Sequence, residues 1–156
     1  MNILFMCVAN SARSQMAEGI AKSILGSSHN IQSAGSEPSG KVHLNAILAL
    51  SEIGIDATNH YSKSIDQLDS YYIDNLDYVI TLCAEEVCPV LSSNALKLHW
   101  FNEDPADEKL DEKGLKDAFN TIHSFIFGIL KTNNPSISKK LFLLPIFFLV
   151  LTVFGF

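Results

Sequence analysis

Two residues six positions apart, Cys7 and Arg13, are the first in this chain whose types and spacing could do chemistry. They enclose a loop between a predicted strand and a predicted helix, whose residues are Val8, Ala9, Asn10, Ser11 and Ala12. A loop of this kind points several backbone N–H groups inward, and the helix N-terminus adds partial positive charge, so the site suits a tetrahedral oxyanion. The same field stabilises a thiolate, which makes Cys7 a nucleophile near neutral pH.

Side chains of the loop would complete this site. Arg13 is the only arginine in the chain, and its planar fork of donors can close over a bound oxyanion as a lysine could not. Ser14 could donate a hydroxyl hydrogen bond to the sulfur, and Asn10 could satisfy loop backbone groups. The alternative for Cys7 is a small apolar residue buried at a strand end.

Two further cysteines follow a second apolar run, in Cys83-Ala-Glu-Glu-Val-Cys88. A phosphatase has no use for additional thiols near its nucleophile, whereas a reductase needs two electrons and a disulfide to store them. The other interpretation is a zinc site completed by Cys7 or His99. No obvious fourth ligand is present and the loop already uses Cys7, so neither a metal nor a cofactor is expected.

Strands alternate with helices along the chain, which is typical of a parallel α/β sheet. We predict a strand over 2–6, a helix from Ser14 that stops at Gly26, and a weaker strand to Ser33 followed by a turn at Ala34-Gly35. We also predict a helix over 42–53, where Leu44, Ile47, Leu48 and Ile53 recur at helical spacing. Two more strands are predicted over 77–82 and 96–100. A closing helix is predicted over 111–130, and its inward residues are Leu115, Phe119, Ile122, Ile126 and Ile129. Ligands bind outside the carboxyl ends of such strands. Cys7, Cys83 and the loop containing Asp104 all follow predicted strands, so one sheet edge should carry the chemistry.

Composition narrows the class of protein. The 156 residues suit one domain, and a formal charge of −6 argues against a nucleic-acid-binding protein. Three cysteines are an odd number and no signal peptide is evident, so we expect reduced thiols and a cytoplasmic protein.

The end of the chain differs from the rest. Residues 141–156 are almost wholly apolar and uncharged, and a polar stretch with Lys139 and Lys140 precedes them. We interpret 1–131 as the domain and 132–156 as a linker and hydrophobic tail. The tail is either a membrane anchor, which would make the protein membrane-associated, or a packed, truncated or frame-shifted end.

The stretch from Cys7 to Glu18 resembles the signature of arsenate reductases built on the low-molecular-weight protein tyrosine phosphatase fold. Further matches follow in family order across residues 1–131: Ser33-Ala-Gly35, Asn59-His60-Tyr-Ser62, Val79-Ile-Thr-Leu-Cys83, Cys88-Pro89, His99-Trp100 and Asp104-Pro-Ala106. The resemblance implies a four-stranded parallel sheet flanked by helices on both faces. It also implies reduction of arsenate, with phosphate as a competing oxyanion.

The resemblance further implies a relay of thiols. Cys7 attacks arsenate and Asp104 protonates the departing oxygen. Cys83 then attacks Cys7 and releases arsenite, Cys88 attacks Cys83, and thioredoxin reduces the final disulfide. Without the resemblance, Asp104 would be interpreted as a solvated or helix-capping residue.

Several positions depart from the family pattern. Ala12 stands where many relatives have another cysteine, and Ala9 replaces a common glycine. Some relatives hold a potassium ion with an Asn, a Glu, a Ser and an Asp. Asn10, Glu18 and Ser33 match the first three, but Lys63 stands at the acidic position, where its ammonium could replace the cation.

Two rival functions are carried alongside the reductase. A phosphatase for phosphate monoesters would use Cys7, Arg13 and Asp104 and leave the other cysteines idle, although the family's phosphatases usually have tyrosines where this chain has Ala106 and Asp107. A non-catalytic oxyanion-binding module tethered by the tail is the second rival.

Overall fold

The computed structural model describes residues 1–83, 91, 93–100, 117, 120, 121 and 124. Within them four strands form one sheet: β1 (Asn2–Cys7), β2 (Asn30–Gly35), β3 (Tyr78–Thr81) and β4 (Leu96–His99). The helices are α1 (Arg13–Leu25), α2 (Leu44–Glu52) and α3 (Ser70–Asp74), with a 3-10 turn at Ile65–Gln67. The predicted parallel α/β architecture is confirmed.

The strand order is β2-β1-β3-β4, and every neighbouring pair is parallel. The chain leaves β1 toward β2 on one side and later returns to place β3 on the other side. This divergence of connections creates a crevice at the carboxyl end of β1, where ligands bind in open α/β sheets.

Both faces of β1 are buried, which explains its unbroken run of apolar residues. Ile3 and Phe5 pack with α1 and α2 in one core, whereas Leu4 and Met6 pack with α3 residues in the other. Trp100, just after β4, places its ring centroid 6.3 Å from that of Phe5. The sheet is therefore flanked by helices on both faces.

The predicted turn at Ala34-Gly35 is wrong, because β2 continues through both residues. Ala34 pairs with Met6 and Gly35 with Cys7. The small residues that suggested a turn instead let the strand lie directly beside the start of the loop, where a larger side chain would collide with it.

The predicted second helix is confirmed, but two of the apolar residues that predicted it, Leu44 and Leu48, do not lie in the core. Leu44 and Leu48 are 64% and 51% exposed, while Ala46, Ala49 and Leu50 are buried. A Cβ on Gly19 of α1 would lie 3.1 Å from Leu50, so the helices approach closely and small residues fit between them.

The remaining predictions of elements concern the end of the chain. Asp117, Asn120, Thr121 and Ser124 are helical, and none of the four is buried. The inward positions predicted for this closing helix, the domain boundary at 131 and the tail over 141–156 lie outside the described residues. In the described part of the chain, no helix has the length and apolar character needed to cross a bilayer.

Candidate active site

The loop of residues 8–12 connects β1 to α1 at the crevice predicted by the strand order. Cys7 ends β1 and is buried at 2% exposure, while Val8, Ala9 and Ser11 are partly exposed. The nucleophile therefore lies at the base of an accessible loop.

The carbonyl oxygens of the loop accept hydrogen bonds from the surrounding shell. Val8 O accepts from Glu37 N at 3.0 Å, and Ser11 O accepts from His43 N at 2.9 Å. Ala9 O accepts from two donors, Ser39 N at 2.9 Å and Ser62 Oγ at 3.0 Å. Asn10 O accepts from Gln15 Nε2 at 3.1 Å. Because these carbonyls are turned toward their donors, the opposite side of the loop presents N–H groups. For the N–H groups of residues 8–12, no acceptor is found among the described residues.

The start of α1 strengthens this anion-binding character. Its N-cap, Ala12, makes no side-chain capping bond, and the first turn contains no acidic residue. The N–H groups of this first turn lie at the positive end of the helix dipole, which favours an anion. This agrees with the oxyanion loop expected from the sequence.

Asn10 holds the loop in shape from the inside. It is fully buried, and its φ of 43° lies in the left-handed region that asparagine tolerates better than most residues. Its Oδ1 accepts hydrogen bonds from Lys63 N at 2.8 Å and Gln15 Nε2 at 3.0 Å. A backbone N–H can only donate, so Lys63 fixes which end of the Asn10 amide carries oxygen.

The amide nitrogen of Asn10 consequently faces the nucleophile. Its Nδ2 donates to Ser14 Oγ at 2.8 Å, and Ser14 Oγ lies 3.0 Å from Cys7 Sγ. A Cys7 thiolate could only accept, so the Ser14 hydroxyl would donate to it while Ser14 Oγ accepts from Asn10. A donor at this position stabilises the thiolate form of Cys7.

Arg13 begins α1 and is 3% exposed. Its Nη1 donates to Leu82 O at 3.5 Å, next to Cys83 at the end of β3. The arginine therefore lies between the two neighbouring strand ends.

Gly35 on β2 supports the loop by its lack of a side chain. A Cβ there would lie 2.3 Å from Val8 O and 2.9 Å from Asn10 N. The Gly35 N–H also donates to Lys63 O at 2.9 Å, which brings the Lys63 segment against the loop.

A buried charged cluster lies behind Asn10. Glu18 accepts from Ser33 Oγ at 2.6 Å, pairs with Lys22, and lies 3.8 Å from Lys63 Nζ. Burial alone would raise the pKa of Glu18, but Lys63 and the hydrogen bonds from Lys22 and Ser33 hold that pKa below its ordinary value. Burial lowers the pKa of Lys63 against the opposing effect of Glu18, and burial likewise lowers the pKa of nearby His60.

The cysteines differ in redox state. Cys83 is disulfide-bonded, whereas Cys7 is a free, buried thiol. Leu82 N donates to Met6 O at 2.8 Å. Cys7, the last residue of β1, and Cys83, two residues after β3, therefore lie at the carboxyl ends of adjacent strands. The disulfide of Cys83 does not include Cys7, and its other half lies outside the described residues.

The site residues expected from the sequence are thus brought together where the structure describes them. Cys88 and Asp104 lie outside the described residues. Within those that are described, no three His, Cys, Asp or Glu side chains are grouped so that they could hold a metal ion.

Some supporting residues were missed by sequence reasoning. Gln15 is fully buried and bridges Asn10 to Tyr61 O at 2.9 Å. A polar residue among the core positions of α1 is the signal that could have identified it. Ser39 and His43 support the loop through backbone N–H groups, which leave no trace in the sequence.

Comparisons with known proteins agree with this geometry. Residues 2–125 match the family described as low molecular weight phosphotyrosine protein phosphatase. An arsenate reductase from Staphylococcus xylosus is 46% identical over 112 residues, which make up 70% of this chain and 82% of that protein.

Solved structures show the same likeness. A thioredoxin-dependent arsenate reductase from Corynebacterium glutamicum is 30% identical, with a TM-score of 0.66 over 88% of this chain and 62% of that one. A structure described as an arsenate reductase in the phosphate binding state is 28% identical, with a TM-score of 0.72 over 85% of this chain and 98% of that one. The resemblance argued from the Cys7 loop is confirmed, and the chain belongs to the low molecular weight phosphotyrosine protein phosphatase family.

Proposed function

We propose that this protein is an arsenate reductase that works by a relay of three cysteines with thioredoxin as the reductant. Its role is arsenic detoxification in the cytoplasm, and phosphate competes with arsenate for the loop. The observation that carries the proposal is the arrangement of Cys7 and Cys83. A free thiol lies in an anion-binding loop, and a second cysteine with disulfide chemistry follows the adjacent strand.

The relatives support this choice of substrate and reductant. The Staphylococcus xylosus protein is an arsenate reductase, and the Corynebacterium glutamicum protein is a thioredoxin-dependent one. Arsenate and phosphate are both tetrahedral oxyanions, so inward N–H groups and the Arg13 fork suit either ion.

The first step forms a bond between sulfur and arsenic. The Cys7 thiolate, stabilised by the Ser14 hydroxyl, attacks arsenate held in the loop. Asp104 protonates the oxygen that leaves as water, and Arg13 stabilises the charge that develops on the remaining oxygens.

The second step transfers the electrons. The Cys83 thiolate attacks Cys7 Sγ, so an S–S bond forms, the S–As bond breaks, and its electron pair reduces As(V) to As(III) as arsenite departs. Cys88 then attacks Cys83 and frees Cys7 as a thiol. The thioredoxin dithiol supplies two electrons to the Cys83–Cys88 disulfide and closes the cycle.

The structure supports the last oxidised state of this relay. The sequence contains a third cysteine, Cys88, which we assign as the thiol that receives the disulfide from Cys83 in this relay. A phosphatase that used Cys7, Arg13 and Asp104 would leave this pair without a role.

Rapid-quench counting of arsenite per enzyme tests the relay. Starting from reduced protein with thioredoxin present, we expect Cys88→Ser to release about one arsenite, because the Cys7–Cys83 disulfide then lies beside the loop, where a protein reductant reaches it poorly. Cys83→Ser should retain arsenic on Cys7, and Cys7→Ser should lose all activity. Sustained turnover by Cys88→Ser would contradict the relay and favour a small-thiol reductant.

A parallel assay with a phosphate monoester separates the phosphatase alternative. A phosphatase would hydrolyse the ester at equal rates in the parent, Cys83→Ser and Cys88→Ser. Reduction of arsenate that depends on both cysteines, with little ester hydrolysis, is the result expected here.

A further inference from the structure

The ammonium of Lys63 is enclosed by groups that suit a cation. Lys63 is 4% exposed, and its Nζ lies 3.8 Å from Glu18 Oε2 and donates to Tyr61 O at 3.4 Å. The same Nζ lies 4.4 Å from the centroid of the Tyr61 ring, whose side chain is 58% exposed. Tyr61 thus provides an outer wall between the ammonium and solvent.

A chain of directed hydrogen bonds links this ion pair to the nucleophile. Ser33 donates its hydroxyl hydrogen to Glu18 at 2.6 Å, which leaves Ser33 Oγ to accept from Asn10 Nδ2 at 2.9 Å. The second hydrogen of Asn10 Nδ2 goes to Ser14 Oγ at 2.8 Å, and Ser14 Oγ lies 3.0 Å from Cys7 Sγ, where a thiolate would accept the Ser14 hydroxyl hydrogen. Asn10 Nδ2 can only donate, so Ser33 Oγ must accept from it, and the Glu18 carboxylate takes the hydroxyl hydrogen of Ser33.

These residues do not fit the potassium ion that the family pattern implied. A potassium ion needs oxygen lone pairs aimed at one point, but Asn10 turns Nδ2 toward Ser33 and uses Oδ1 for two N–H donors. The Ser33 hydroxyl is already donating to the carboxylate. Glu18 also has two ammonium neighbours, so a further cation would add repulsion.

We propose that Lys63 is a built-in cation and that Glu18 and Lys63 are positioning residues that fix the Ser14 hydroxyl on Cys7. Lys63 acts through two groups. Its ammonium pairs with Glu18, and its backbone N–H orients the Asn10 amide. Neither Glu18 nor Lys63 contacts the sulfur. Their effect on Cys7 passes through Ser33, Asn10 and Ser14.

The other charged groups near the pair set the background for a pH experiment. Lys22 on α1 bonds the second oxygen of Glu18, and its side chain is 48% exposed. His60 interacts electrostatically with Glu18, Lys22, Lys63 and Asp56. Arg13 begins α1 directly after the loop.

The test measures the pH profile of Cys7 alkylation by iodoacetamide in full-length protein with Cys83→Ser and Cys88→Ser, so that Cys7 is the only thiol. Glu18→Gln is the decisive variant. Simple charge removal would favour the thiolate and move the midpoint down. A neutral amide is a weaker acceptor for the Ser33 hydroxyl than the carboxylate and can also donate, so weakening of the hydrogen-bond chain should instead move the midpoint up by about one pH unit. Glu37→Gln removes the same charge from an exposed residue near the loop, and its midpoint should stay or fall slightly.

Three further variants keep the test decisive if Glu18→Gln fails to fold. Ser33→Ala leaves the ion pair in place but cuts the chain, and it should raise the midpoint as Glu18→Gln does. Lys63→Met should also raise it, whereas Lys22→Met should not. An unchanged or lowered midpoint in both Glu18→Gln and Ser33→Ala would overturn the proposal, and this readout does not depend on arsenate reduction.

Potassium provides an independent measurement. Exchange of potassium for sodium at matched ionic strength should leave alkylation and turnover of the parent unchanged. Activation of the parent itself by potassium would refute the built-in cation.

Discussion

The carbonyl oxygen of Val8 lies against the backbone of Gly35, where a Cβ on residue 35 would come within 2.3 Å of it. This contact joins the end of β2 to the loop that follows β1. It explains why the strand carries its smallest residue at the position paired with Cys7. The loop can lie this close to β2 only because that side chain is absent.

Gly35→Ala should therefore displace the loop. We expect kcat/KM for arsenate to fall by about 100-fold, because misplaced N–H donors stabilise the transition state poorly. The free energy of unfolding should fall by about 1–3 kcal/mol through overpacking. Steady-state kinetics and urea unfolding measure the two effects.

Gly54→Ala is the matched control for this variant. Gly54 has a φ of 78°, and a Cβ built there would meet no atom within 4 Å. Alanine at this position should therefore lower the free energy of unfolding through backbone strain alone. Turnover should remain at the parent level, since Gly54 follows α2 away from the loop. Equal losses of activity in both variants would contradict a specific role for Gly35.

Arg13→Lys should reduce kcat/KM for arsenate by about 100-fold or more, because a point charge cannot replace a planar fork of donors on an oxyanion. The charge is retained, so the loss would come from geometry. Lys97→Arg, at an exposed position on β4, should leave kcat/KM for arsenate unchanged. Near-normal turnover in Arg13→Lys would remove the arginine from the oxyanion site.

Glu18 should make stability depend on pH in the acidic range. Its pKa in the folded protein lies below the ordinary value of 4.5, so the stabilising effect is complete above that pH and is lost as pH falls through the folded value. Glu18→Gln should lower the free energy of unfolding near neutral pH and flatten its decline below about pH 4.5. Urea unfolding of both proteins across this range gives the comparison, and parallel curves would argue against the effect.

The tail gives a prediction that separates its two interpretations. Deletion of 132–156 should leave kcat/KM unchanged, since the described site residues all lie within 1–83. If the tail is an anchor, deletion should also move the protein from the membrane fraction to the supernatant. Loss of folding would show instead that the segment is part of the core.

The sequence alone determined the elements that carry the candidate site, and it led to the proposal for the chemistry of the loop. β1 could be predicted because a strand buried on both faces must be apolar throughout, and α1 because its apolar positions recur at helical spacing until Gly26, where φ is 71°. Cys7 and Arg13 were identifiable because few other side chains supply a nucleophilic thiolate and a planar fork.

Only the tertiary structure decided which distant groups hold that loop. Strand pairing places Gly35 beside Cys7, so Ala34 and Gly35, which the sequence predicted as a turn, are the last residues of β2. The donors from Ser39 and His43 are backbone N–H groups, which every residue but proline carries, so composition and spacing could not single them out. Lys63 was noticed as a departure from a family pattern, but its ammonium lies beside Glu18 because long-range packing brings these two segments together.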